Sequence, residues 1–550
     1  MRSQTGIAVC VIGLSLSVAA FSAGSGAVAD AAMKGDDAAV RALLQQKADV
    51  NAPQADGTTA LQWAAYNDDL EIAELLIAGG ANVKTPNRYG ATPLSLAATN
   101  GNAALIEKLL QAGANANEHQ PHGETPLMFA ARSGDLASLR VLLTHQADVN
   151  AKETLRGTTP LIWATEQQHP DAVKLLIEHG ADVNAADAVI GQRGSRPLIA
   201  PTVAQRAAQV GVAAAAATRA RPEAAAGGGD DGAARAAQRV GNMTPLHFAA
   251  REGDPESVRI LLAAGANINA QTVDGWTPLL IATQNRNYQI GEFLLDHGAD
   301  PNLANKQAFT PLYLATDNRN IEGGEYPVRP GDMDHLDFIK LLLTHKSDPN
   351  LRARDYTETR TSFTMQWLNE DGATPFLRAA QSGDVTLMKL LLAHGADPNI
   401  KTRNETTALE AASGIGWVED ITFEWSPAET LEAVKMCLDL GNDVNAADKD
   451  GRTALMGAAH KGRNDVIELL VKAGAKLDAL DNGSRDTVNG ELLGYKWMAM
   501  DYADGLVRVG VQAAIPHPET AVLLRKLMKE AGLSVPPPSG ATICVVDSCK

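Results

Sequence analysis

Five histidines, His145, His179, His297, His345 and His394, each close a leucine-rich segment: LLTH, LLIEH, LLDH, LLLTH and LLLAH. Imidazole is the commonest metal ligand, so a histidine recurring at one structural position suggests a ladder of metal sites. If each segment is one helix of a stack, neighbouring axes lie about 8–10 Å apart. Metal–nitrogen bonds are about 2 Å, too short for adjacent histidines to share an ion. The better reading is a helix end, where the C-terminal dipole favours a cationic or hydrogen-bonding residue. Two thiols, Cys544 and Cys549, lie in the tail ICVVDSCK. In an oxidising compartment they suit a small disulfide loop; free thiols, an intermolecular bridge and metal binding are the alternatives. Cys437, in LEAVKMCLDLG, reads as a small buried hydrophobe. The chain holds no H-E-x-x-H, G-x-S-x-G, P-loop, G-x-G-x-x-G, C-x-x-C or C-x-x-C-H pattern. No catalytic residue, cofactor site or metal site is expected.

The stretch Met243–Gln271, MTPLHFAAREGDPESVRILLAAGANINAQ, shows what must position these residues. Thr244 and Pro245 open a helix, because proline at a first helical position lacks only an N–H that would be unsatisfied anyway. Leu246, Ala249 and Ala250 form a narrow apolar stripe, and Gly253 ends the helix. Asp254-Pro255 start a second helix with Val258, Leu261 and Leu262 at helical spacing. Gly265 suits the left-handed residue that follows a helix. Neither helix can bury its apolar face alone, so copies must stack. Thr-Pro/Ala-Leu/Phe recurs at Thr59, Thr92, Thr125, Thr159, Thr244, Thr277, Thr310, Thr374, Thr407 and Thr453. Five spacings are 33 residues and one is 34; the others, 85, 64 and 46, contain insertions.

A 33-residue period carrying T-P-L-H-x-A-A resembles the ankyrin-repeat family, and the leader described below adds a likeness to its exported bacterial members. The resemblance implies an all-α solenoid of stacked helix-turn-helix units with short β-hairpin turns. It also implies a binding scaffold whose target the fold does not name. Recognition in such scaffolds uses the hairpin tips and the solvent side of the first helices. Carried onto this chain, those positions are Tyr66, Asn67, Arg88, Tyr89, Arg132, Arg251, Glu252, Trp276, Gln284, Asn285 and Phe309. Trp276 and Phe309 directly precede Thr277 and Thr310, and aromatics beside arginine suit a binding hot spot; the alternative is that they pack on each other or on a loop. His247 and the opening threonines read as structural.

Residues 1–29 form a leader: Arg2, an apolar run from Ile7 to Phe21, small residues and Ala27-Val28-Ala29, an A-x-A cleavage pattern. Export to the periplasm or beyond is therefore expected, with cleavage after Ala29 and no later membrane span. A net charge of −17 argues against general nucleic-acid binding. Repeats are expected over 30–187, starting from a polar cap at 30–52, and over 242–481. Between them, 188–241 is Ala/Gly/Arg-rich, with seven Arg against Glu223, Asp230 and Asp231. It reads as a flexible linker, or as a basic arm for an acidic surface; loop entropy grows so slowly with length that it need not split the stack. A degenerate pair at 482–535 closes the array before a Pro/Cys tail at 536–550.

The C-terminal half carries insertions at 321–335, 355–370, 414–428 and 483–496. In the second, Thr361, Phe363, Met365 and Trp367 alternate with Arg360, Ser362, Thr364 and Gln366, the period of a β-finger. The function expected is a non-enzymatic scaffold that binds a protein through its concave face. An effector secreted into another cell shares these features, and a ligand or enzymatic site built by the insertions is a third reading.

Overall fold

A computed structural model describes residues 26–192, 238–320, 330–354, 371–417, 423–483, 496–507 and 515–536. The chain divides into two compact units, Met1–Thr154 and Leu155–Lys550.

In the first unit, helix pairs follow the threonine register: Ala27–Met33 with Asp37–Gln45, Ala60–Tyr66 with Leu70–Ala78, Pro93–Asn100 with Ala103–Gln111, and Pro126–Ser133 with Leu136–Thr144. First helices pack on first helices and second on second. The local cause is a cap. The Thr59 hydroxyl accepts from the Gln62 N–H while the Gln62 side chain accepts from the Thr59 N–H, and Thr92 does the same with Ser95. Leu61, Ala64, Leu94, Ala97, Leu127 and Ala130 are buried; alanine lets the short helices approach closely. Turn asparagines tie repeats to their successors. Asn51 Nδ2 donates to Gly80 O at 3.1 Å and its Oδ1 accepts from Asn82 N at 2.7 Å. Asn117 does the same for Gln146 and Asp148.

A helix runs across the boundary expected after Ala29. Ala29 lies inside the helix Ala27–Met33, with Val28 and Ala29 fully buried. Asp30 accepts from Gln54 Nε2 at 2.6 Å, and Gln54 Oε1 accepts from Trp63 Nε1 at 2.8 Å. These residues belong to the capping repeat.

The second unit begins with Pro160–Glu166 and Pro170–Glu178. At the insertion, strand β1 (Ile190–Gln192) pairs antiparallel with β2 (Gln238–Val240), with Ile190 opposite Val240 and Gln192 opposite Gln238. The described ends of the insertion therefore pair as the stem of an inter-repeat hairpin. At its root Asp187 N donates to Met243 O, and the Asp187 carboxylate accepts from Met243 N at 2.6 Å. Gly241 is required there: its φ is +123°, and a Cβ would lie 2.2 Å from Ala188 O. The stack runs on beneath the hairpin. Pro160–Glu166 packs on Pro245–Glu252, and Asn184 makes the inter-repeat tie across 83 positions by accepting from Asn267 N at 2.8 Å.

Further pairs follow at Pro278–Gln284/Tyr288–Asp296, Pro311–Arg319/His335–Thr344, Pro375–Gln381/Val385–Ala393, Ala408–Ser413/Pro427–Asp439 and Ala454–His460/Asn464–Lys472. The degenerate pair is Ala499–Ala503 with Pro518–Glu530. Among the described residues no helix is long and apolar enough to cross a membrane. The β-finger at 355–370, Cys544 and Cys549 lie outside the described residues.

Candidate interaction surface

Counting the opening threonine as position one, positions five and eight of each first helix lie three residues apart on one helix face. In the first unit this face is open. Position five holds Trp63, Leu96 and Phe129, all half-buried, and position eight holds Tyr66, Thr99 and Arg132, all exposed. Tyr66 is 61% exposed and meets the Trp63 ring edge-on, with centroids 5.6 Å apart. Asn67 is exposed, yet its Nδ2 donates to Ala32 O at 2.9 Å. At the hairpin tip Tyr89 is 75% exposed beside the exposed Arg88, held by Asn87 Oδ1 accepting from Tyr89 N at 3.0 Å.

From residue 278 the same positions are closed. Ile281, Leu314 and Ala411 at position five are buried, as are Gln284, Asp317, Gln381 and His460 at position eight. Arg378 occupies position five at 1% exposure. Its Nε donates to Asp317 Oδ1 at 2.8 Å, Nη1 to Ser382 Oγ at 2.8 Å and Nη2 to Asn320 O at 2.5 Å. One repeat earlier, Arg319 forks onto Asp384 at 2.7 and 3.3 Å. Part of the 414–428 insertion lies over this network. Trp425 Nε1 donates to Asn320 Oδ1 at 2.9 Å, Trp425 N donates to Ser382 O at 3.2 Å, and the Arg319 guanidinium sits 4.3 Å above the Trp425 ring. Glu424 pairs with buried Lys461, which faces Trp417.

Of the eleven surface residues expected, Tyr66, Asn67, Arg88, Tyr89 and Arg132 are exposed, all in the first unit. Trp276 and Phe309 require correction: they are 1% and 0% exposed. The tip before Trp276 is Gly275, at φ +80°, and the one before Phe309 is Ala308, at φ +59°; the next residue turns back under the repeat, and Trp276 O accepts from His247 Nε2 at 3.1 Å. The register carries the signal, since Thr158, Met243, Ala373 and Thr406 occupy the same slot and are buried. Gln284 is buried, and Asn285 bonds back to Ile281 O at 2.9 Å. Arg251 and Glu252 are half-buried and paired with each other; Arg251 also reaches Glu166 and stacks on Phe248 at 4.7 Å. Sequence reasoning missed Trp63, although an apolar or aromatic residue at position five of four successive repeats (Trp63, Leu96, Phe129, Trp163) marks it.

The polar groups with chemical potential serve the frame. His247 Nδ1 accepts from Thr244 N at 3.0 Å, so its Nε2–H donates to Ala270 O and Trp276 O. Burial pulls this imidazole down to about 4. His179, His297 and His394 bond through Nδ1 to the carbonyl four residues back, at 2.9, 2.7 and 2.9 Å. His145 and His345 instead reach Glu107 and Asp296 on the preceding second helix. Among the described residues no cluster of three or more metal-type ligands forms. Burial pushes the Cys437 thiol up to about 12, which makes it inert.

Comparison with known families agrees with the stack. The description "Ankyrin repeats (3 copies)" matches residues 28–120, 94–187, 230–305 and 246–353. "Ankyrin repeat" matches 371–403 and 450–482. Among individual curated proteins, none matches significantly. With more than half of its length matched in register with the observed helix pairs, the chain belongs to the ankyrin-repeat family.

Proposed function

We propose that this ankyrin-repeat protein is an exported, non-enzymatic scaffold, and that it holds its protein partner on the first-helix side of residues 26–154. Ankyrin repeats are protein-interaction modules. The observation that carries the assignment is the open face bearing Tyr66, Thr99 and Arg132 at position eight, set against the buried Gln284, Asp317, Gln381 and His460 at that position from 278 onward; Arg88 and Tyr89 add an exposed hairpin tip. Exposed tyrosine and arginine on a rigid frame lose little conformational entropy on binding and supply hot-spot contacts. A photo-reactive phenylalanine at Tyr66 tests the reading in living cells. It should crosslink a discrete partner that one at Gln381 does not; crosslinking through Gln381 alone would overturn it.

The leader Met1–Ser25 supports export. The buried capping helix argues that cleavage falls before Gly26, because a cut after Ala29 would remove Val28 and Ala29 from the core. The intact mass of the processed protein decides: a start at or before Gly26 supports the reading, and a start at Asp30 contradicts it.

The rival reading, a ligand or catalytic site built by the insertions, is less well supported. Where 414–417 and 423–428 can be followed, Trp425 lies over polar groups already committed to one another, as in Arg378–Asp317 and Arg319–Asp384. Such an arrangement seals a surface.

A further inference from the structure

At position four of two first helices a polar side chain reaches toward the next hairpin. Gln62 accepts from Thr59 N with Oε1 at 2.6 Å and donates with Nε2 to Thr85 O and Ala91 O at 3.2 and 2.5 Å. These carbonyls lie seven residues and one residue before the next opening threonine, Thr92. His247 repeats the arrangement with Ala270 O and Trp276 O, which stand seven and one before Thr277. Each is a clamp: an acceptor turned back to its own cap, and a donor turned forward to the next repeat.

At Thr407 the same position is Glu410, 1% exposed. Its Oε2 takes the acceptor role, receiving Thr407 N at 2.6 Å and Thr407 Oγ1 at 2.7 Å. Its Oε1 is buried and has no hydrogen-bond partner. In the same register the forward carbonyls are those of Ala446 and Arg452, seven and one before Thr453. A carboxylate oxygen cannot donate to a carbonyl, whereas a protonated carboxyl can.

We propose that Glu410 is a protonated clamp, donating from Oε1–H to the hairpin of the following repeat, and that its ionisation loosens the joint between the repeats opening at Thr407 and Thr453. The charged groups acting on it are Asp448, whose carboxylate opposes ionisation, and Lys401, which favours it. Asp448 is itself held by Arg452 at 3.1 Å, and Arg452 also pairs with Asp450. Burial, opposed by the Thr407 hydrogen bonds and aided by Asp448, raises the Glu410 carboxyl to about 7 from its ordinary 4.5. The folded value is the higher one. Stabilisation is therefore complete below about 4.5 and is lost as pH rises through about 7.

Amide hydrogen exchange on the full chain, corrected for intrinsic rate, tests this at hairpin 446–453 and helix Ala454–His460. Between pH 6 and 8 the local opening equilibrium should rise about tenfold, the change expected when one proton is bound in the closed joint and released on opening. Glu410→Gln, which restores the donor that Gln62 has, should hold the joint at its pH 6 protection throughout. Asp448→Asn should keep a pH response. The proposal is overturned if Glu410→Gln retains the wild-type response, if the response vanishes only with Asp448→Asn, or if the wild type shows none.

Discussion

The first helices of residues 59–133 and those of residues 278–460 are built on one register and end in opposite conditions. Tyr66, Thr99 and Arg132 stand in solvent; Gln284, Asp317, Gln381 and His460, at the same position, are buried. Stacking determines only what a helix turns toward its neighbours. What becomes of its remaining face depends on which side chains meet there and on what covers them, here Arg378 bound to Asp317 between first helices and Trp425, from an insertion, laid over Arg319. A repeat protein can thus convert part of its recognition surface into core by inserting between helices, leaving the rest for binding.

The largest effect should come from breaking the sealed face. Asp317→Ala strands the Arg378 guanidinium at 1% exposure and should cost about 3–5 kcal/mol in denaturant unfolding. Acid comes next. His247 stays neutral when folded, about 4 against an ordinary 6.5. Its contribution is present above about 6.5 and is lost as pH falls toward about 4, at most about 3 kcal/mol. Position four of the first unit holds Gln62, Ser95 and Met128, none of which titrates. Thermal scans between pH 7 and 4 should show acid weakening traced to the second unit and reduced by His247→Gln. Trp425→Ala, which removes one hydrogen bond and one cation–π contact, should cost about 1–2 kcal/mol and raise exchange at amides 378–384. Smallest in stability is the double change Tyr66→Ala and Tyr89→Ala, within about 0.5 kcal/mol per site. By calorimetry against the crosslinked partner, once purified, it should weaken binding at least tenfold.

The helix pairs were legible because Thr-Pro-Leu and the following glycine act locally: a hydroxyl cap, a proline at the first position and a left-handed stop need no tertiary help. His247 was legible for the same reason. The hairpin stem at the basic insertion was not, since Ile190–Gln192 and Gln238–Val240 are three residues each and meet across 45 intervening positions. Trp276 misled because it stands one residue past the tip glycine, where the chain has already turned inward. Tyr66 and Tyr89 are exposed as expected, since the slots they occupy face solvent in a bare stack. The burial of Gln381 was hidden because its cause lies in other parts of the chain.

Hydroxyl-radical footprinting of the native protein tests the contrast most directly. Tyr66 and Tyr89 should oxidise at rates near those of free tyrosine, while Tyr288, Tyr313 and Tyr502, all buried, should be protected by an order of magnitude or more. Tyr313 sits at the inward position four, so the sealed face itself is read at Leu314 and His460, both buried; their oxidation at rates near those of the free amino acids would show the second face to be open, and the division between a binding block and a sealed block would fail.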